Sequence, residues 1–408
     1  MSDNHQEPRA KSRRAGYSRL AQTAVQQTTL RVREMHSAIA SMPFSILRRV
    51  PLLAGPARLV QAAHDAISAA VYSVIKHSSG GLFAATDLIE HRYSAASPYK
   101  PPGRFASGLR SALNGAFGDH LAAGNSRLAI DMALHADGAV LTLDDGALSA
   151  AFPDASDRLC IFVHGLGCDP YCWQPAADAT ASGSHFGLGL SSDLGYTPLY
   201  LSYNTGLPIE ENCAQLAILV EKLLAAWPQP LNRLVVVGHS MGGLIALGAC
   251  DKATAEQMEW VRVPSMIICL GSPLRGSPVE RLGHLTNSVL NLSRVTLPLG
   301  KIAAARSQGV KDLRFGPGAR CAGSGSHTIA FRFLGASLAE NVDHPVGEFL
   351  GDGLVPLSSA IAHEIEGDVE TARVGRLGHM AIVNDARVYR QIRDWVAAQD
   401  RDERPAEH

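Results

Sequence analysis

One stretch of the chain, residues 234–243, contains a residue type and a spacing that suit covalent chemistry. At its centre is Gly238-His239-Ser240-Met241-Gly242, in which a serine has a glycine two positions away on each side. An apolar, β-branched run precedes this motif, and a run of small and apolar residues typical of a helix follows it. A strand that turns sharply into a helix holds the serine hydroxyl out at the carboxyl edge of a sheet. The stretch therefore predicts a nucleophile at Ser240.

A serine hydroxyl is a poor nucleophile at its free pKa, so it needs a base, usually histidine, and an acid that orients the base. Downstream of Ser240, Asp352 lies between two glycines on a predicted loop, and His379 follows a glycine just before the last predicted helix. The order serine, aspartate, histidine is the one expected after a turn of this kind. We therefore predict that Ser240, Asp352 and His379 form a catalytic triad.

Other residues in the same part of the chain compete for the two partner roles. The competing acids are Asp343, Glu348 and Asp368, and the competing bases are His344 and His363. His363 lies in a predicted helix, residues 358–366, which favours a surface position, whereas Asp343 and His344 precede a proline and are candidates for the pocket rim. Taken singly, Asp352 is also consistent with a turn residue and His379 with a helix start.

Attack of a serine on a carbonyl builds negative charge on the carbonyl oxygen, and backbone N–H groups must stabilise that charge. One predicted donor is the amide of Met241, directly after the nucleophile. The second is the amide of Leu166, in the loop His164-Gly165-Leu166-Gly167 that follows another predicted strand. His164 is expected to brace this loop by hydrogen bonds rather than to take part in catalysis. The predicted supporting residues are His164, Gly165, Gly238, His239 and Gly242.

Strand-like and helix-like segments alternate along the chain around these residues. The predicted strands cover residues 159–163, 198–203, 234–237, 266–270, 328–334 and 372–374, and the main predicted helices cover 214–227, 244–250 and 382–398. This alternation predicts an α/β fold with a mainly parallel sheet and helices on both faces. An antiparallel hairpin precedes it, because Asp137-Gly138 separates strand candidates at residues 128–134 and 139–143.

Several motifs together resemble those of the α/β-hydrolase superfamily. They are Phe162-Val163-His164-Gly165-Leu166-Gly167, Val237-Gly238-His239-Ser240-Met241-Gly242-Gly243, Gly271-Ser272-Pro273, Gly351-Asp352-Gly353-Leu354-Val355-Pro356 and Gly378-His379. Within the superfamily the chain is most similar to bacterial lipases and esterases and to GPI-inositol-deacylase-like hydrolases, from about residue 120 to residue 399. The resemblance implies the α/β-hydrolase fold, with Asp352 as the triad acid, His379 as the triad histidine and the Leu166 amide as an oxyanion donor.

A long insertion, residues 276–327, is predicted to be a lid or cap. Loops of this length are usually functional or disordered. Apolar positions at Leu285, Val289, Leu292, Val295 and Leu299 predict a helical face over the pocket, and several glycines follow it. A lid that opens suits a lipid or acyl-ester substrate. The alternative is a structural cap that never opens.

The part of the chain before the predicted sheet differs in character. Residues 1–50 carry nine Lys and Arg against three Asp and Glu, and residues 1–35 are predicted to be a mobile basic leader. Residues 36–115 are predicted to be a helical extension, in which the apolar spacing from Val60 to Ile75 indicates an amphipathic helix. That helix either contacts a membrane surface or packs on the main domain or an oligomer interface, and packing is favoured. The hydrolase domain is predicted at 116–399, followed by a tail at 400–408.

Composition excludes several classes of function. The net charge of −1 argues against bulk attraction to nucleic acid. The seven cysteines suit a reducing compartment, and Cys168 and Cys172 lack a second pair at metal spacing, so a zinc site is not expected. A disulfide between Cys168 and Cys172 is the alternative. No apolar stretch reaches about 18 residues, and the first 33 residues lack a signal-peptide core. A cytoplasmic protein, with peripheral membrane contact left open, is the resulting expectation.

These observations favour a serine hydrolase that cleaves carboxylic esters, of acyl or lipid type, through an acyl-enzyme. The chemistry needs no cofactor and no metal ion. Acyl transfer to another acceptor and thioester cleavage use the same triad, so both remain alternatives. A non-catalytic lipid-binding protein on the same fold is the third interpretation. The acyl chain length, the head group and the oligomeric state are not indicated.

Overall fold

The computed structural model describes residue 61 and residues 104–174, 185–276, 307–313, 329–361 and 367–402. The predicted leader, the predicted amphipathic helix apart from residue 61, and most of the predicted lid lie outside these residues. By internal contacts the chain divides into two units, and the unit formed by residues 102–121 and 129–408 contains the sheet and the candidate site. Within the described part of the chain, every helix is too short or too polar to cross a membrane.

The centre of the fold is an eight-stranded sheet. Its strands are β1 Ala133–Ala136, β2 Ala139–Val140, β3 Arg158–Val163, β4 Thr197–Ser202, β5 Arg233–His239, β6 Ser265–Leu270, β7 Ile329–Ala336 and β8 Asp368–Val374. The strand order is β2-β1-β4-β3-β5-β6-β7-β8. All pairs from β4 to β8 are parallel, whereas β1 is antiparallel to both β2 and β4. The predicted α/β fold with a mainly parallel sheet is confirmed.

The helices follow the strands in alternation. They are α1 Arg104–Ala123, α2 Asp145–Ala151, α3 Phe186–Leu194, α4 Ile209–Ala226, α5 Met241–Ala255, α6 Gln308–Asp312, α7 Pro345–Leu350, α8 Leu357–Ala360 and α9 Ala386–Asp402. Short 3-10 helices lie at Pro170–Trp173, Glu259–Arg262 and His379–Asn384. One buried cluster joins β3, β5 and β6 to α3 and α9, while α5 packs on β5 and β6 and against α4.

The central strands are apolar on both faces because helices cover both sides of the sheet. In β3, every residue from Leu159 to Val163 is fully buried, and β6 is buried throughout. Near-continuous apolar runs of this kind are typical of parallel strands that have no solvent-exposed face. The edge strand β8 is instead largely exposed, and it alternates in burial.

The predicted hairpin before the parallel strands is confirmed. Asp137 and Gly138 connect β1 and β2 with φ angles of 48° and 77°. Positive φ at both central residues is the signature of a two-residue type I′ turn, which aspartate and glycine tolerate. The strands are shorter than predicted, because β1 begins only at Ala133 and β2 ends at Val140.

One helix boundary differs from the prediction, and another helix crosses a predicted domain boundary. The last helix does not begin at Ile382: residues 379–384 form a 3-10 helix, and α9 starts after Asp385, whose carboxylate accepts the Arg387 amide at 2.8 Å. At the other end of the fold, α1 includes residue 115, near which the sequence predicted a domain boundary, and it is kinked at Phe117, where φ is −138° and ψ is 16°. Segments on both sides of that position belong to the unit that contains the sheet.

The strand register aligns the carboxyl ends of the central strands. Val163 is opposite Gly238, and His239 is opposite Leu270. The residues that follow β3, β5 and β6 therefore leave the sheet at one edge and at nearly the same height. This edge carries the candidate site.

Candidate active site

Ser240 lies in a strained turn between β5 and α5. Its φ and ψ angles are 54° and −123°, a conformation that L-residues other than glycine rarely adopt. Such a residue costs on the order of 1–3 kcal/mol and persists only where its surroundings impose it. Here the Ser240 amide donates to the Leu270 carbonyl at 2.9 Å, and the Gly243 amide donates to the Ser240 carbonyl at 3.1 Å. The predicted strand–turn–helix around Ser240 is therefore present.

Close backbone contacts explain the two glycines of the motif. A Cβ on Gly238 would lie 2.4 Å from the Gly243 Cα, and a Cβ on Gly242 would lie 2.2 Å from the Val163 carbonyl oxygen. Both neighbours are backbone atoms, which cannot move aside as a flexible side chain can. The turn therefore requires glycine at both positions, so that α5 can pack closely on the ends of β3 and β5.

His379 and Asp352 form a buried hydrogen-bonded pair. The His379 Nδ1 atom donates to Asp352 Oδ2 at 2.7 Å, and both side chains are almost completely buried. The other carboxylate oxygen accepts the amides of Leu354 and Val355 at 2.9 and 2.8 Å. Burial by itself raises the pKa of Asp352, but the facing imidazole and these donors outweigh it and hold the pKa below its ordinary value.

A backbone contact joins this pair to the serine turn. The His239 ring bonds through Nε2 to the His379 carbonyl oxygen at 3.0 Å, and the two imidazole rings are 4.7 Å apart. Since a carbonyl only accepts, His239 Nε2 carries the proton. Burial, together with the nearby His379, lowers the pKa of His239 to about 3, so this ring stays neutral. His239 is thus a structural link between β5 and the segment that holds His379.

The second ring nitrogen of His379, Nε2, has no hydrogen-bond partner among the described residues, although the atom is buried. Asp352 and His379 are therefore brought together, and His379 lies beside the turn, but the Ser240 hydroxyl is not hydrogen-bonded to His379. Apo structures often show such long or unformed contacts between catalytic groups.

The loop after β3 also lies against the serine turn. A Cβ on Gly165 would lie 3.1 Å from the Ser240 Cβ. Neither the Leu166 amide nor the Met241 amide has a hydrogen-bond acceptor among the described residues, and both residues are buried. Buried backbone amides are nearly always paired, so two unpaired amides beside one serine call for an explanation.

His164 stabilises this loop through contacts with Gly165 and Tyr203. Its Nδ1 lies 2.9 Å from the Gly165 carbonyl oxygen, and its ring stacks on Tyr203 with centroids 4.6 Å apart. The Tyr203 hydroxyl donates to the His164 carbonyl at 2.6 Å. Burial lowers the pKa of His164 to about 4, so the ring is neutral and fits the bracing role expected from the sequence.

The described competitors are engaged away from Ser240 or exposed. Asp343 pairs with Arg373 at 3.2 Å on the surface, and Asp368 pairs with Arg332 at 2.9 Å at the start of β8. Glu348 and His344 are exposed. His363 lies outside the described residues. None of the four described competitors contacts the Asp352–His379 pair.

The two cysteines of the loop region are not bonded to each other. Cys168 and Cys172 are free thiols, so the alternative of a disulfide between them is wrong. Burial raises the pKa of the Cys172 thiol, and hydrogen bonding to Cys168 raises it further. No group of three or more histidine, cysteine, aspartate or glutamate residues in the described ranges could hold a metal ion.

Sequence reasoning missed one residue that shapes this edge. Thr205, three positions after β4, accepts the Gly167 amide through Oγ1 at 3.0 Å and is buried. The available signal was the polar run Asn204-Thr205-Gly206 directly after a predicted strand, at the edge where parallel strands end together. Nothing in that run itself indicates a contact with the loop after β3.

Comparison with known proteins agrees with this geometry. A sequence model of the alpha/beta hydrolase family matches residues 160–405, more than half of the chain. A search of curated proteins gave no match. Solved structures similar to this chain include a gene product of Listeria innocua (15% identity, TM-score 0.37), covering 59% of this chain and 94% of that one.

Two further solved structures share a similar level of likeness. A lipase-esterase related protein from Clostridium acetobutylicum is 14% identical with a TM-score of 0.36, over 60% of this chain and 94% of that one. Esterase B from Lactobacillus rhamnosis is 14% identical with a TM-score of 0.36, over 60% and 76%. From the family match, and with the sheet and the serine turn in agreement, the chain belongs to the alpha/beta hydrolase family.

Proposed function

We propose that this protein is a serine hydrolase that cleaves carboxylic esters through an acyl-enzyme, with Ser240, His379 and Asp352 as its triad. One observation carries the proposal: a buried Asp352–His379 hydrogen bond, with the second imidazole nitrogen unoccupied, beside a serine in a strained turn. A free nitrogen next to a nucleophile is what a general base requires.

Acylation begins when the Ser240 Oγ attacks the ester carbonyl carbon. His379 Nε2 takes the hydroxyl proton, while Asp352 keeps the Nδ1 proton hydrogen-bonded and stabilises the imidazolium that forms. The tetrahedral intermediate then collapses, the bond to the alcohol oxygen breaks, and His379 returns its proton to the leaving alcohol. The acyl group remains on Ser240 as an ester.

Deacylation reverses these roles with water as the nucleophile. His379 removes a proton from water as the water oxygen attacks the acyl carbon. Collapse of the second intermediate releases the carboxylic acid, and the proton returns from His379 to the Ser240 oxygen. In both halves Asp352 must be ionised, which its lowered pKa ensures at neutral pH.

The unpaired amides of Leu166 and Met241 are assigned to the oxyanion. Each intermediate carries negative charge on the former carbonyl oxygen, and a preorganised donor in a buried site is worth ~3–4 kcal/mol to the transition state. Their lack of acceptors in the described structure supports this role, because a substrate oxygen would complete their hydrogen bonding. We assign acyl or lipid esters as the substrate class.

A panel of p-nitrophenyl esters with increasing acyl length tests the proposal. We expect turnover by the wild type and its loss in Ser240→Ala, with rates that rise with chain length if lipid-like esters are preferred. Competing alcohols in the same assay reveal acyl transfer, and thioesters reveal thioesterase activity. Absence of turnover across the panel, or turnover that survives Ser240→Ala, would reject the proposed function.

A further inference from the structure

A helix that precedes the family-matched region runs along the loop that carries the Leu166 amide. We propose that α1 is the element that positions this loop, with Gly115 and Thr205 as positioning residues for oxyanion stabilisation. The inference rests on the proposed function, because it assigns a role to the Leu166 amide in ester hydrolysis. It adds a part of the chain, residues 104–121, that the family match at 160–405 does not include.

The first half of α1 contacts the far end of the loop. The Arg104 guanidinium lies 5.2 Å from the Tyr171 ring centroid, in the 3-10 helix at Pro170–Trp173 that follows the loop. Asp169 is buried and caps this 3-10 helix by accepting the Tyr171 amide at 3.0 Å. The start of α1 therefore contacts the exit of the loop through a cation–π contact.

The middle of α1 contacts the loop backbone directly. A Cβ on Gly115 would lie 3.0 Å from the Gly167 Cα, 3.1 Å from the Gly167 nitrogen and 3.3 Å from the Thr205 Oγ1. The helix backbone thus rests on the loop backbone with no side chain between them. Only glycine permits this approach without a shift of one of the two segments.

Leu166 is held between two fixed neighbours. On one side the Gly165 carbonyl accepts the Cys168 amide at 3.2 Å, and on the other the Gly167 amide donates to Thr205 Oγ1 at 3.0 Å. The Leu166 amide is left without an acceptor in the described structure. The contacts at residues 165 and 167 therefore fix the direction in which the free amide points.

Other segments fix α1 in turn. The Asn204 side-chain amide donates to the Gly118 carbonyl at 2.9 Å, and the Ser307 hydroxyl donates to the Gly115 carbonyl at 2.8 Å. Ser307 and Val310 are buried, although both belong to the insertion predicted as a lid. This part of the insertion is an anchor for α1, so the helix cannot withdraw from the loop without breaking buried hydrogen bonds.

A displaced Leu166 amide is expected to weaken stabilisation of the transition state more than binding of the substrate. Donors stabilise the oxyanion only at hydrogen-bond distance from the position that the charged oxygen takes up. A displacement of the Leu166 amide by a few tenths of an ångström weakens that interaction, while contacts with the rest of the ester persist. Interactions specific to the transition state lower kcat when lost, with little change in KM.

Substitutions at Gly115 and Thr205 separate this role from general packing. We expect Gly115→Ala to lower kcat by ~10-fold and Gly115→Val to lower it by ~100-fold. Complete loss of one oxyanion donor typically lowers kcat by ~100- to 1000-fold, so the alanine variant should lose less than this and the valine variant about as much. Thr205→Val removes the acceptor of the Gly167 amide and should lower kcat by ~10-fold, whereas Thr205→Ser keeps the hydroxyl and should restore most of it. Gly108→Ala is the matched control, because it lies on the same helix and a Cβ there has no neighbour within 4 Å.

The measured quantities are kcat and KM on a short p-nitrophenyl ester. The concentration of active sites is determined by complete titration with a fluorophosphonate, so that kcat is calculated per active site and misfolded protein is not counted. Binding of a trifluoromethyl ketone, which presents an oxyanion, is measured on the same samples. We expect its affinity to fall in proportion to kcat/KM in Gly115→Ala and Thr205→Val, and to stay unchanged in Gly108→Ala. A purely structural effect would lower the number of active sites but not the affinity per site.

Two outcomes would overturn the inference while the hydrolase proposal stands: wild-type kcat per site in Gly115→Ala and Thr205→Val, or equal losses in Thr205→Val and Thr205→Ser. The Thr205 pair decides the matter by itself if the Gly115 variants fail to fold. If the wild type does not hydrolyse esters through Ser240, the proposed function fails instead, and the two failures are distinguishable.

Discussion

The two sides of Ser240 are built by different means. On one side, Asp352 and His379 are fixed by side-chain hydrogen bonds within a stretch of fewer than thirty residues, with two backbone amides on the carboxylate. On the other side, the loop at residues 165–168 is fixed largely by backbone atoms, against Gly115 and the hydroxyl of Thr205. The function proposed for the first side depends on two particular side chains. The function proposed for the second side depends on where the backbone lies.

The same contrast appears in the electrostatics. The acid–base side keeps a buried charge, because the neighbours of Asp352 lower its pKa. His164, which braces the loop, is kept neutral by burial, as is His239, which links β5 to the segment that holds His379. A buried charge at Asp352 and a neutral imidazole at His164 suit a site in which one part moves protons and the other stabilises an oxyanion.

The largest effect is expected on the acid–base side. Replacing His379 with alanine removes the only described imidazole that has a free nitrogen beside the turn and an acid partner. We expect kcat on p-nitrophenyl esters to fall by ~10⁵-fold, as for removal of a triad member. His344→Ala, a change at an exposed histidine from the same region, should leave kcat unchanged. Equal losses in both variants would contradict the assignment.

Asp352→Asn tests the orientation of His379 at nearly constant shape. The amide keeps the size of the carboxylate, but it cannot stabilise an imidazolium and favours the wrong tautomer. A loss of ~10⁴-fold in kcat is expected. Asp343→Asn is the comparison variant, since Asp343 is exposed and pairs with Arg373. Wild-type kcat in Asp352→Asn would place the acid elsewhere and remove the contrast between the two sides.

The buried imidazoles predict a loss of stability in mild acid. Between the ordinary histidine pKa of about 6.5 and the folded values of about 4 and 3, the unfolded chain binds protons that the folded chain does not. The free energy of unfolding therefore falls as the pH is lowered through this range, by on the order of 1–2 kcal/mol for each histidine between pH 7 and pH 5. Asp352 does not contribute there, because its stabilising effect is lost only as the pH falls below about 4.

Urea unfolding at pH 7 and pH 5 measures this difference. His164→Gln is expected to be less stable at pH 7 but to show a smaller loss between the two pH values. A free energy of unfolding that is the same at both pH values in the wild type, together with an equal result in His164→Gln, would contradict the lowered pKa values of these rings. The neutral character assigned to the loop side would then be wrong.

The smallest effect is expected from a direct change in the loop. A methyl group at Gly165 would lie 3.1 Å from the Ser240 Cβ, so the loop must shift by a few tenths of an ångström. We expect Gly165→Ala to lower kcat by about 10-fold, with a nearly unchanged KM. Steady-state kinetics on a short ester provides the measurement. A rise in KM with a constant kcat would mean that the loop contacts the substrate and not the developing oxyanion.

The same comparison explains how much of the molecule the sequence predicts. The serine turn, the hairpin at Asp137-Gly138 and the parallel strands are local patterns, in which periodicity and turn residues determine the conformation. Asp352 and His379 were predicted as partners because their residue types and glycine-flanked loops are readable. Their hydrogen bond in the structure agrees with that pairing.

The loop side was less predictable, because its contacts join residues far apart in the sequence. Gly115 meets Gly167 and Ser307, and Thr205 meets Gly167, yet neither Gly115 nor Thr205 belongs to a motif. The proline- and glycine-rich stretch before α1 suggested a boundary near residue 115, whereas α1 crosses that position and contacts the loop backbone and Ser307 there. Close backbone packing leaves no signature except glycine, and glycine has many other uses.

The measurement that tests the central claim most directly is the site of covalent labelling by a fluorophosphonate. We expect the intact mass to increase by one adduct, peptide mapping to assign it to Ser240, and both Ser240→Ala and His379→Ala to remain unlabelled on the time scale of wild-type labelling. An adduct on another residue, or labelling of Ser240→Ala at the wild-type rate, would contradict the account.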